Sequence, residues 1–520
     1  MKRHGLVFVI SLALILLGGN LYCDAVNQCD SSGLQFEKQI KSSNLYSAYS
    51  DPIVITNDSG FIDYGCSGDG SEESPYILEG LYIKNSSICI SIANTRVYFE
   101  IRNCAMPASH PPENPAINFD NVTCGSVFDC DFDYHYYGVR ILDSTRCRVA
   151  NNSFSDTIHG VELRRSSECF VEDNWASSNS DGFALYNSVN CTLRRNVGVG
   201  SVYEGFIINN SFNCTLEDNF SANNGRGGYY QWVSDNITYT NNIASRNSAM
   251  GYYLYNSDNC TVQRNIIREQ VDGIVLLESD NCTLFSNAIY GHSNIGVELR
   301  QYSDGNLVLN NTIGYNDLSN AKDDGAFNRW DDGLSRGNFW DDTNGIDAYS
   351  ITGAAGSFDE FPLLLEQNIP QINRPPDYVY EVGSTGNELS WRPYAPFPYN
   401  YTIYQGAVSL KSGLWYGSPL SISIDSLSLG IHTFSILVQD FGNGTAADSI
   451  TVMVTEKTVT SPPTTTTTES SPATSSPTTD LANAHDQPNG TEVGTVDLIL
   501  MGIIAIQVLA LVVIISGRNG

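Results

Sequence analysis

A repeat of 22 or 23 residues dominates the chain between Gly138 and about Asn316. Each repeat carries a glycine, at Gly138, Gly160, Gly182, Gly205, Gly228, Gly251, Gly273 and Gly296. A serine follows six residues later in seven repeats, at Ser144, Ser166, Ser188, Ser211, Ser234, Ser257 and Ser279. Self-similarity at a fixed period of this length is typical of a solenoid, in which each repeat forms one coil.

An asparagine column keeps the same period, fourteen residues after each glycine. It comprises Asn152, Asn174, Asn196, Asn219, Asn242, Asn265, Asn287 and, after a one-residue insertion, Asn311. Equal positions of stacked coils lie about 4.8 Å apart, so these amides would bond from coil to coil. Asparagine also tolerates the left-handed backbone of a tight corner. We therefore expect a side-chain ladder along one turn.

The segments between these columns favour strands over helices. A leucine-rich repeat has a similar period, but it needs a leucine framework and a helical return. Here a return such as 191–196 reads as strand and turn, without a helical period. The sequence predicts an all-β chain, with a right-handed parallel β-helix over residues 81–317. Two inward columns follow each glycine: Val161, Phe183, Phe206, Tyr229, Tyr252 and Ile274, then Leu163, Leu185, Ile208, Leu254 and Leu276.

The two ends of the 520-residue chain predict export and anchoring. Residues 1–25 resemble a signal peptide, with a basic start, an apolar core and a small-x-small site at Cys23 to Ala25. Residues 496–516 are apolar enough for one transmembrane helix, followed by a tail at 517–520. We expect a single-pass cell-membrane protein with an extracellular ectodomain. The formal net charge of −30 argues against nucleic acid as a partner.

Four further segments complete the predicted organisation. Residues 26–80 are expected to form an N-terminal cap, and residues 318–370 a C-terminal cap in which Trp330 and Trp340 plug the last coil. Alternating runs over 371–455 predict an immunoglobulin-like β-sandwich that serves as a spacer or an adhesive module. The Ser/Thr/Pro-rich residues 456–495 predict a stalk. We assign no metal or cofactor, although calcium at the aspartates of the C-terminal cap is an alternative to a solvated acidic surface.

Several motifs make a family resemblance specific. Asn328-Arg329-Trp330-Asp331-Asp332-Gly333 and Gly337-Asn338-Phe339-Trp340-Asp341-Asp342 follow the Gly/Ser/Asn coils, as in the NosD-like class of right-handed β-helix proteins. That class is related to carbohydrate-binding and sugar-hydrolase β-helices. The runs Pro75–Leu81 and Asn94–Phe99 resemble archaeal cell-surface members. The resemblance covers residues 51–455 and implies the fold, because the class has no single activity.

The cysteines follow the repeat as well. Six of them lie nine residues after a glycine, at Cys147, Cys169, Cys191, Cys214, Cys260 and Cys282. Ile237 occupies the same column, which indicates small buried hydrophobes rather than bridges. A copper-binding thiol stack, suggested by the class name, is the alternative. Cys104 and Cys130, one coil apart, are the best disulfide candidates. Five glycosylation sequons, at Asn190, Asn213, Asn236, Asn259 and Asn281, share one column that turn geometry explains equally well.

An aromatic stripe is the candidate binding surface. Residues two and four positions after each glycine should face outward, among them Tyr186, Tyr230, Trp232, Tyr253 and Tyr255. Exposed rings can stack on sugars, so we predict binding of an extracellular polysaccharide or surface glycoprotein. A cap, a loop or another subunit covering the stripe is the alternative. Gln231 in an inward column suggests a local bulge that would bury Trp232.

The residues directly before three successive glycines are the candidate catalytic groups. His159, Asp181 and Glu204 would stack about 5 Å apart, close to the carboxylate separation of a retaining glycosidase. Polar turn residues explain this column more simply, and no lyase or epimerase signature such as Asp-Pro-His-Asp is present. We therefore favour a binding module, with a hydrolase or lyase and a purely structural surface-layer or adhesion protein as alternatives.

Overall fold

The computed structural model describes residues 50–84, 88–108, 114–343, 345, 347–364 and 369–457. These residues lie in a first compact unit, Met1–Thr458, and the second unit, Val459–Gly520, lies outside them. The predicted signal peptide and transmembrane segment lie outside the described residues, and so does the predicted stalk beyond residue 457. Among the residues that are described, no helix is long and apolar enough to cross a membrane.

Three parallel sheets form the solenoid, and each coil contributes one strand to each sheet. The first sheet has twelve strands: β1 (Ile53–Ile55), β3 (Ile90–Thr95), β6 (Pro115–Val122), β9 (Tyr137–Leu142), β12 (His159–Arg164), β15 (Asp181–Tyr186), β18 (Phe206–Asn209), β21 (Tyr229–Trp232), β24 (Met250–Tyr255), β27 (Asp272–Leu277), β30 (Ile295–Leu299) and β33 (Ser319–Asp323).

The second sheet has eleven strands: β2 (Tyr76–Glu79), β4 (Phe99–Arg102), β7 (Gly125–Phe128), β10 (Arg148–Ala150), β13 (Phe170–Glu172), β16 (Thr192–Arg194), β19 (Thr215–Glu217), β22 (Thr238–Thr240), β25 (Thr261–Gln263), β28 (Thr283–Phe285) and β31 (Leu307–Leu309). The third has eleven: β5 (Ala105–Pro107), β8 (Asp131–Asp133), β11 (Ser153–Ser155), β14 (Trp175–Ser177), β17 (Val197–Val199), β20 (Phe220–Ala222), β23 (Ile243–Ser245), β26 (Ile266–Arg268), β29 (Ala288–Tyr290), β32 (Thr312–Gly314) and β34 (Phe339–Trp340). This arrangement confirms the parallel β-helix.

The inward columns of the first sheet fill the core as predicted. Stacked rings run through it, for example Phe183, Phe206 and Tyr229, whose centroids lie 5.0 Å and 4.9 Å apart. Gln231 also points inward and is fully buried, where its Oε1 accepts a hydrogen bond of 2.9 Å from the Tyr239 hydroxyl. The strand register around it is regular. The bulge expected at Gln231 is therefore absent, and Trp232 faces outward with 44% of its surface exposed.

Each repeat carries a glycine because, at this position, the backbone of the first sheet lies directly against the next coil or against a side chain of the third sheet. A Cβ on Gly182 would lie 2.5 Å from the Gly205 carbonyl oxygen, and one on Gly138 would lie 2.3 Å from the Phe154 ring. Neither contact is compatible with a side chain, since the packing of a protein interior leaves no such space. Glycine is thus required at this position by close packing and not by the backbone conformation of a turn.

The asparagine ladder is confirmed. Each amide oxygen accepts from the backbone N–H and from the Nδ2 of the preceding coil, as when Asn219 accepts from Asn196 at 2.9 Å and 3.1 Å. The ladder continues one coil further than expected, because Asn311 donates to Asn338 at 2.9 Å. The backbone prediction was wrong in one respect. The left-handed residue is the one before each ladder position, such as Asn151 or Asp218, with φ of 56° and 54°.

The sequon column occupies another such corner. Its five asparagines, Asn190, Asn213, Asn236, Asn259 and Asn281, have φ between 54° and 58° and exposed side chains. This geometry agrees with the turn origin of the column.

Both ends of the solenoid are closed by aromatic side chains. At the N-terminal end, helix α1 (Gly60–Tyr64) buries Phe61 on Tyr76, with ring centroids 5.1 Å apart. The region expected as a cap therefore also supplies β1 and β2. At the C-terminal end Trp330 and Trp340 are buried as predicted, and their indole N–H groups donate to Asp323 at 3.0 Å and Asp359 at 2.9 Å. A two-stranded sheet, β35 (Tyr349–Ser350) and β36 (Phe358–Asp359), follows.

Two further sheets share one core after the solenoid. One consists of β37 (Gln371–Asn373), β39 (Glu388–Tyr394) and β42 (Leu420–Ser423). The other consists of β38 (Tyr378–Glu381), β40 (Pro398–Gln405), β41 (Val408–Leu414), β43 (Gly430–Asp440) and β44 (Thr445–Thr455). Trp391 from the first and Tyr401 from the second lie in the same buried cluster. The segment is thus a two-sheet sandwich, and its immunoglobulin-like topology stays a prediction.

This sandwich packs on the outward face of the third sheet. Tyr416 joins an apolar cluster formed by Val197, Val199, Phe220, Ala222 and Ile243. Beside it the Arg268 side chain is completely buried and donates to the carbonyl oxygens of Pro398 (2.8 Å), Tyr399 (3.3 Å) and Trp415 (3.4 Å). The expected spacer is therefore docked on the solenoid through an apolar and hydrogen-bonded contact.

Candidate functional site

The aromatic row consists of Tyr186, Tyr230, Trp232, Tyr253 and Tyr255, on the outward face of the first sheet. The rings of Tyr230 and Tyr253 stack with centroids 5.2 Å apart, and those of Trp232 and Tyr255 lie 6.0 Å apart. These four residues form one continuous patch over β21 and β24. The sandwich covers the third sheet instead, and the four rings stay partly or largely exposed.

Tyr186 is separated from the other four rings. In its column Asn209 lies between Tyr186 and Trp232. The Tyr186 ring instead stacks on His159 at 5.9 Å, and the Arg164 guanidinium lies 4.5 Å from its centre. The structure therefore divides the predicted stripe into an aromatic patch and a second part that belongs to the polar column.

The polar column contains the three candidate catalytic residues in contact with one another. His159 Nε2 lies 3.4 Å from Asp181 Oδ2, and the Glu204 backbone N–H donates to Asp181 Oδ1 at 3.1 Å. His159 Nδ1 lies 3.2 Å from Glu162 Oε2. The other oxygen of this carboxylate, Glu162 Oε1, lies 2.9 Å from Arg164 Nε. All three column residues and Glu162 are buried. The register of β12 and β15 brings these groups together, since His159 pairs with Asp181.

Burial and neighbouring charges set the protonation of this column. Burial, together with the adjacent Asp181 carboxylate, raises the pKa of Glu204 to about 8, and Arg226 opposes this only weakly. Burial alone would lower the pKa of His159, but Asp181 and Glu162 raise it above its ordinary value. Burial would likewise raise the pKa of Glu162, yet His159 and Arg164 lower it. Near neutral pH the column thus holds a protonated Glu204, and the carboxyl groups of Asp181 and Glu162 favour the charged form of His159.

Two exposed residues complete the site and were missed from the sequence. The side chain of Arg226 is 65% exposed, and its guanidinium lies 4.8 Å from the ring centre of Tyr203 and 3.9 Å from Glu204 Oε1. Both residues lie in turns two positions before a repeat glycine, where the sequence columns carry no signal. Asp272 also occupies the column of Glu204, but it accepts from Asn294 Nδ2 at 2.6 Å and lies apart from the group.

The cysteine column and the acidic cap do not have the geometry of metal sites. The six repeat cysteines are buried and form no disulfide, and Cys104 and Cys130, the best disulfide candidates, are not bridged either. Thiols such as Cys191 lie against backbone carbonyls, at 3.4 Å from the Val189 oxygen. In the cap Asp332 accepts three backbone N–H groups. Within the described ranges, no group of three or more His, Cys, Asp or Glu side chains is arranged to hold a metal ion.

Residues 97–231 and 200–345 match a family model described as "Periplasmic copper-binding protein (NosD)". The solenoid carries NosD-like repeats. Among the described residues, no group of side chains is arranged to hold the copper of that description. Neighbouring thiols of the cysteine column contact one another in the core, as Cys169 does with Cys147 and Cys191, and Ile237 interrupts the column.

Several solved structures are similar to this chain. The periplasmic alginate epimerase AlgG is 14% identical, with 54% of this chain and 83% of that chain covered and a TM-score of 0.38. The A-module of the Azotobacter vinelandii mannuronan C-5 epimerase AlgE6 is also 14% identical, with coverage of 59% and 97% and a TM-score of 0.37. An alginate lyase from Paenibacillus sp. str. FPU-7 is 11% identical, with coverage of 53% and 97% and a TM-score of 0.35. No curated protein sequence matches significantly.

Proposed function

We propose that this protein binds a polysaccharide along the outward face of the first sheet, without turning it over. The observation that carries the proposal is the patch of Tyr230, Trp232, Tyr253 and Tyr255, left open by a sandwich that covers a different sheet. Tyrosine and tryptophan provide large, flat contact areas and lose little side-chain entropy on binding. The patch spans the two neighbouring coils of β21 and β24, about 4.8 Å apart, so its four rings can stack on adjoining sugar units of one chain.

Removing the two outermost rings tests this proposal. Trp232→Ala with Tyr255→Ala should abolish binding to a glycan array and leave the melting temperature nearly unchanged, since outward residues do not fill the core. Phe170→Ala is the matched control, because Phe170 is 45% exposed on the second sheet. If no glycan binds the wild-type ectodomain, the alternative of a purely structural surface protein is favoured. Binding that survives the double substitution would contradict the proposed surface.

A catalytic function is the second candidate, and the protonation of the polar column is the observation that favours it. A carboxyl with a pKa of about 8 beside another carboxylate matches the division of roles between a general acid and a base. However, both oxygens of Asp181 are engaged, by His159 and by the Glu204 backbone N–H. Asp181 is also buried, so a sugar cannot reach its oxygens without displacing the neighbouring groups, which favours binding over hydrolysis.

The two candidate functions differ in a direct assay. If the wild type releases reducing ends or unsaturated ends from a polysaccharide, while Asp181→Asn with Glu204→Gln does not, the protein is an enzyme. Retained binding without any release by either form supports the binding module.

We further propose that the ectodomain is displayed on the outside of a cell by the segment at 496–516. The apolar sequence of that segment and the Ser/Thr/Pro-rich residues before it support this topology. Protease treatment of intact cells should release a soluble fragment by cleavage within 456–495. Complete protection of the ectodomain from the protease would contradict it.

A further inference from the structure

Arg226 is a cation held in a fixed position beside the aromatic row. Its guanidinium lies over the ring of Tyr203, and its backbone is fixed by a 2.9 Å bond from its N–H to the Tyr203 carbonyl and a 2.7 Å bond from the Ala249 N–H to its own carbonyl. Its contact with Glu204 is 3.9 Å, too long for a hydrogen bond. The side chain is thus positioned by protein contacts, while its charged end remains largely in solvent.

A glycine leaves space beside Glu204. Gly227 occupies the polar column in the next coil, and a Cβ there would meet only the Met250 carbonyl oxygen at 3.4 Å and Glu204 Cγ at 3.9 Å. This glycine therefore differs from the repeat glycines, whose missing side chains would collide with backbone. Residue 227 therefore places no side chain of its own beside Glu204, although both residues are buried.

The charges around this position favour an anion. Burial and a side-chain hydrogen bond with Asp181 keep Glu204 protonated near neutral pH, so Arg226 faces a neutral carboxyl. Asp181 itself is paired with His159. The nearby Tyr230 hydroxyl stays neutral, because burial and Glu204 raise its pKa. Although the formal net charge of the chain is −30, Arg226 therefore places a cation without an ionised partner beside the aromatic patch, and this cation favours an anionic ligand.

We propose that Arg226, beside the neutral Glu204, forms a subsite for a negatively charged substituent, a carboxylate or a sulfate ester, of the polysaccharide bound along the aromatic row. The inference rests on the proposed binding function and specifies its ligand class. The guanidinium provides the charge and two donors, and Tyr230 and Tyr253 stack on the adjoining sugar.

Three soluble polymers separate the outcomes: a polygalacturonate, a sulfated galactan and a neutral glucan. In the full ectodomain, Arg226→Met should weaken binding of an acidic polymer about tenfold, which corresponds to about 1.4 kcal/mol, and leave binding of any neutral polymer unchanged. The polymer that loses affinity identifies the substituent. Arg264→Met is the matched control, since Arg264 is exposed at a different corner of the solenoid.

The protonation of Glu204 gives a second, independent measurement. Above a pH of about 8 Glu204 ionises, pairs with Arg226 and repels the ligand, so wild-type affinity for the acidic polymer should fall through this range. Glu204→Gln should remove that decline. Gly227→Val, which fills the space without changing any charge, should also weaken acidic binding.

The possible failures are distinct. Preference for the neutral glucan, or an acidic polymer that binds equally well to Arg226→Met, would overturn the subsite and leave the aromatic row intact. If none of the three polymers binds and the glycan array is also negative, the proposed function fails and the subsite fails with it.

Discussion

At the scale of single residues, the ladder asparagines are the most heavily bonded side chains of the solenoid. Asn219 accepts two hydrogen bonds from Asn196 and donates two, to the Leu193 carbonyl and to Asn242, both at 2.9 Å. All of these groups are buried. A ladder asparagine therefore bonds polar groups on the coil before and the coil after its own, and its neighbours depend on it.

Replacing Asn219 with alanine should consequently destabilise the ectodomain by about 3 kcal/mol, because it leaves buried N–H and carbonyl groups unpaired. Urea denaturation measures the loss. Thr238→Ala, on a half-exposed strand position nearby, should cost less than about 1 kcal/mol. Equal losses for both substitutions would show that the ladder contributes little.

Glu204 predicts a pH dependence of stability. Its pKa is about 8 when folded and near 4.5 when unfolded, so the folded state holds an extra proton between these values. Stability contributed by this group therefore falls as the pH rises from 4.5 to 8. Glu204→Gln should have a higher melting temperature than the wild type at pH 9 and an equal one at pH 4. A difference that does not change with pH would contradict the assignment.

Some of these single-residue features could be predicted from the sequence and others could not. The Asn column predicted its ladder, because identical amides at a fixed period are brought into register by the stacking of the coils. The left-handed residue before each rung has no fixed identity: Asn151, Asp218 and Arg195 all occupy it. Arg226 had no column at all, and only its three-dimensional neighbours, Tyr203 and Glu204, identify it.

At the scale of elements, the first sheet depends on the absence of side chains at its repeat glycines. Gly182→Ala places a Cβ 2.5 Å from the Gly205 carbonyl oxygen, so the two coils must separate locally. We expect a loss of about 2–3 kcal/mol from this overpacking. Gly227→Ala is the matched substitution, with no contact shorter than 3.4 Å, and should be nearly neutral. Thermal unfolding of the two variants compares them, and similar melting temperatures would refute the packing role of the repeat glycines.

The third sheet was the least predictable element. Its outward residues Val197, Val199 and Phe220 are apolar, as are several of its inward ones, so the alternation that distinguishes a core face from a solvent face is lost. This pattern is typical of a strand buried on both sides. The sequence alone does not identify the segment that covers the outward face of the third sheet. In the structure Tyr416 and its neighbours on the sandwich cover it.

At the scale of the whole molecule, the sandwich and the NosD-like solenoid should unfold together. Arg268 links them through three carbonyl oxygens, and the Tyr290 hydroxyl adds a 2.6 Å bond to Pro398. Arg268→Met removes the donors and leaves buried carbonyls unpaired, at a cost of about 3 kcal/mol. Calorimetry should then resolve a separate, earlier transition of the sandwich, whereas Arg264→Met should retain the wild-type profile. An unchanged profile for Arg268→Met would show that the apolar contact alone couples the two parts.

The spacing of the ladder has a consequence for how the length of this solenoid can change in evolution. Successive rungs are 22, 23, 24 or 27 residues apart along the chain, yet their amides remain 2.9–3.1 Å from one another. Extra residues are accommodated in the corners, and the pitch is unaffected. Duplication or loss of a gene segment that encodes one coil would therefore lengthen or shorten the outward face of the first sheet by one fixed increment of about 4.8 Å. Each remaining ladder asparagine would still form its hydrogen bonds with an asparagine of the adjacent coil.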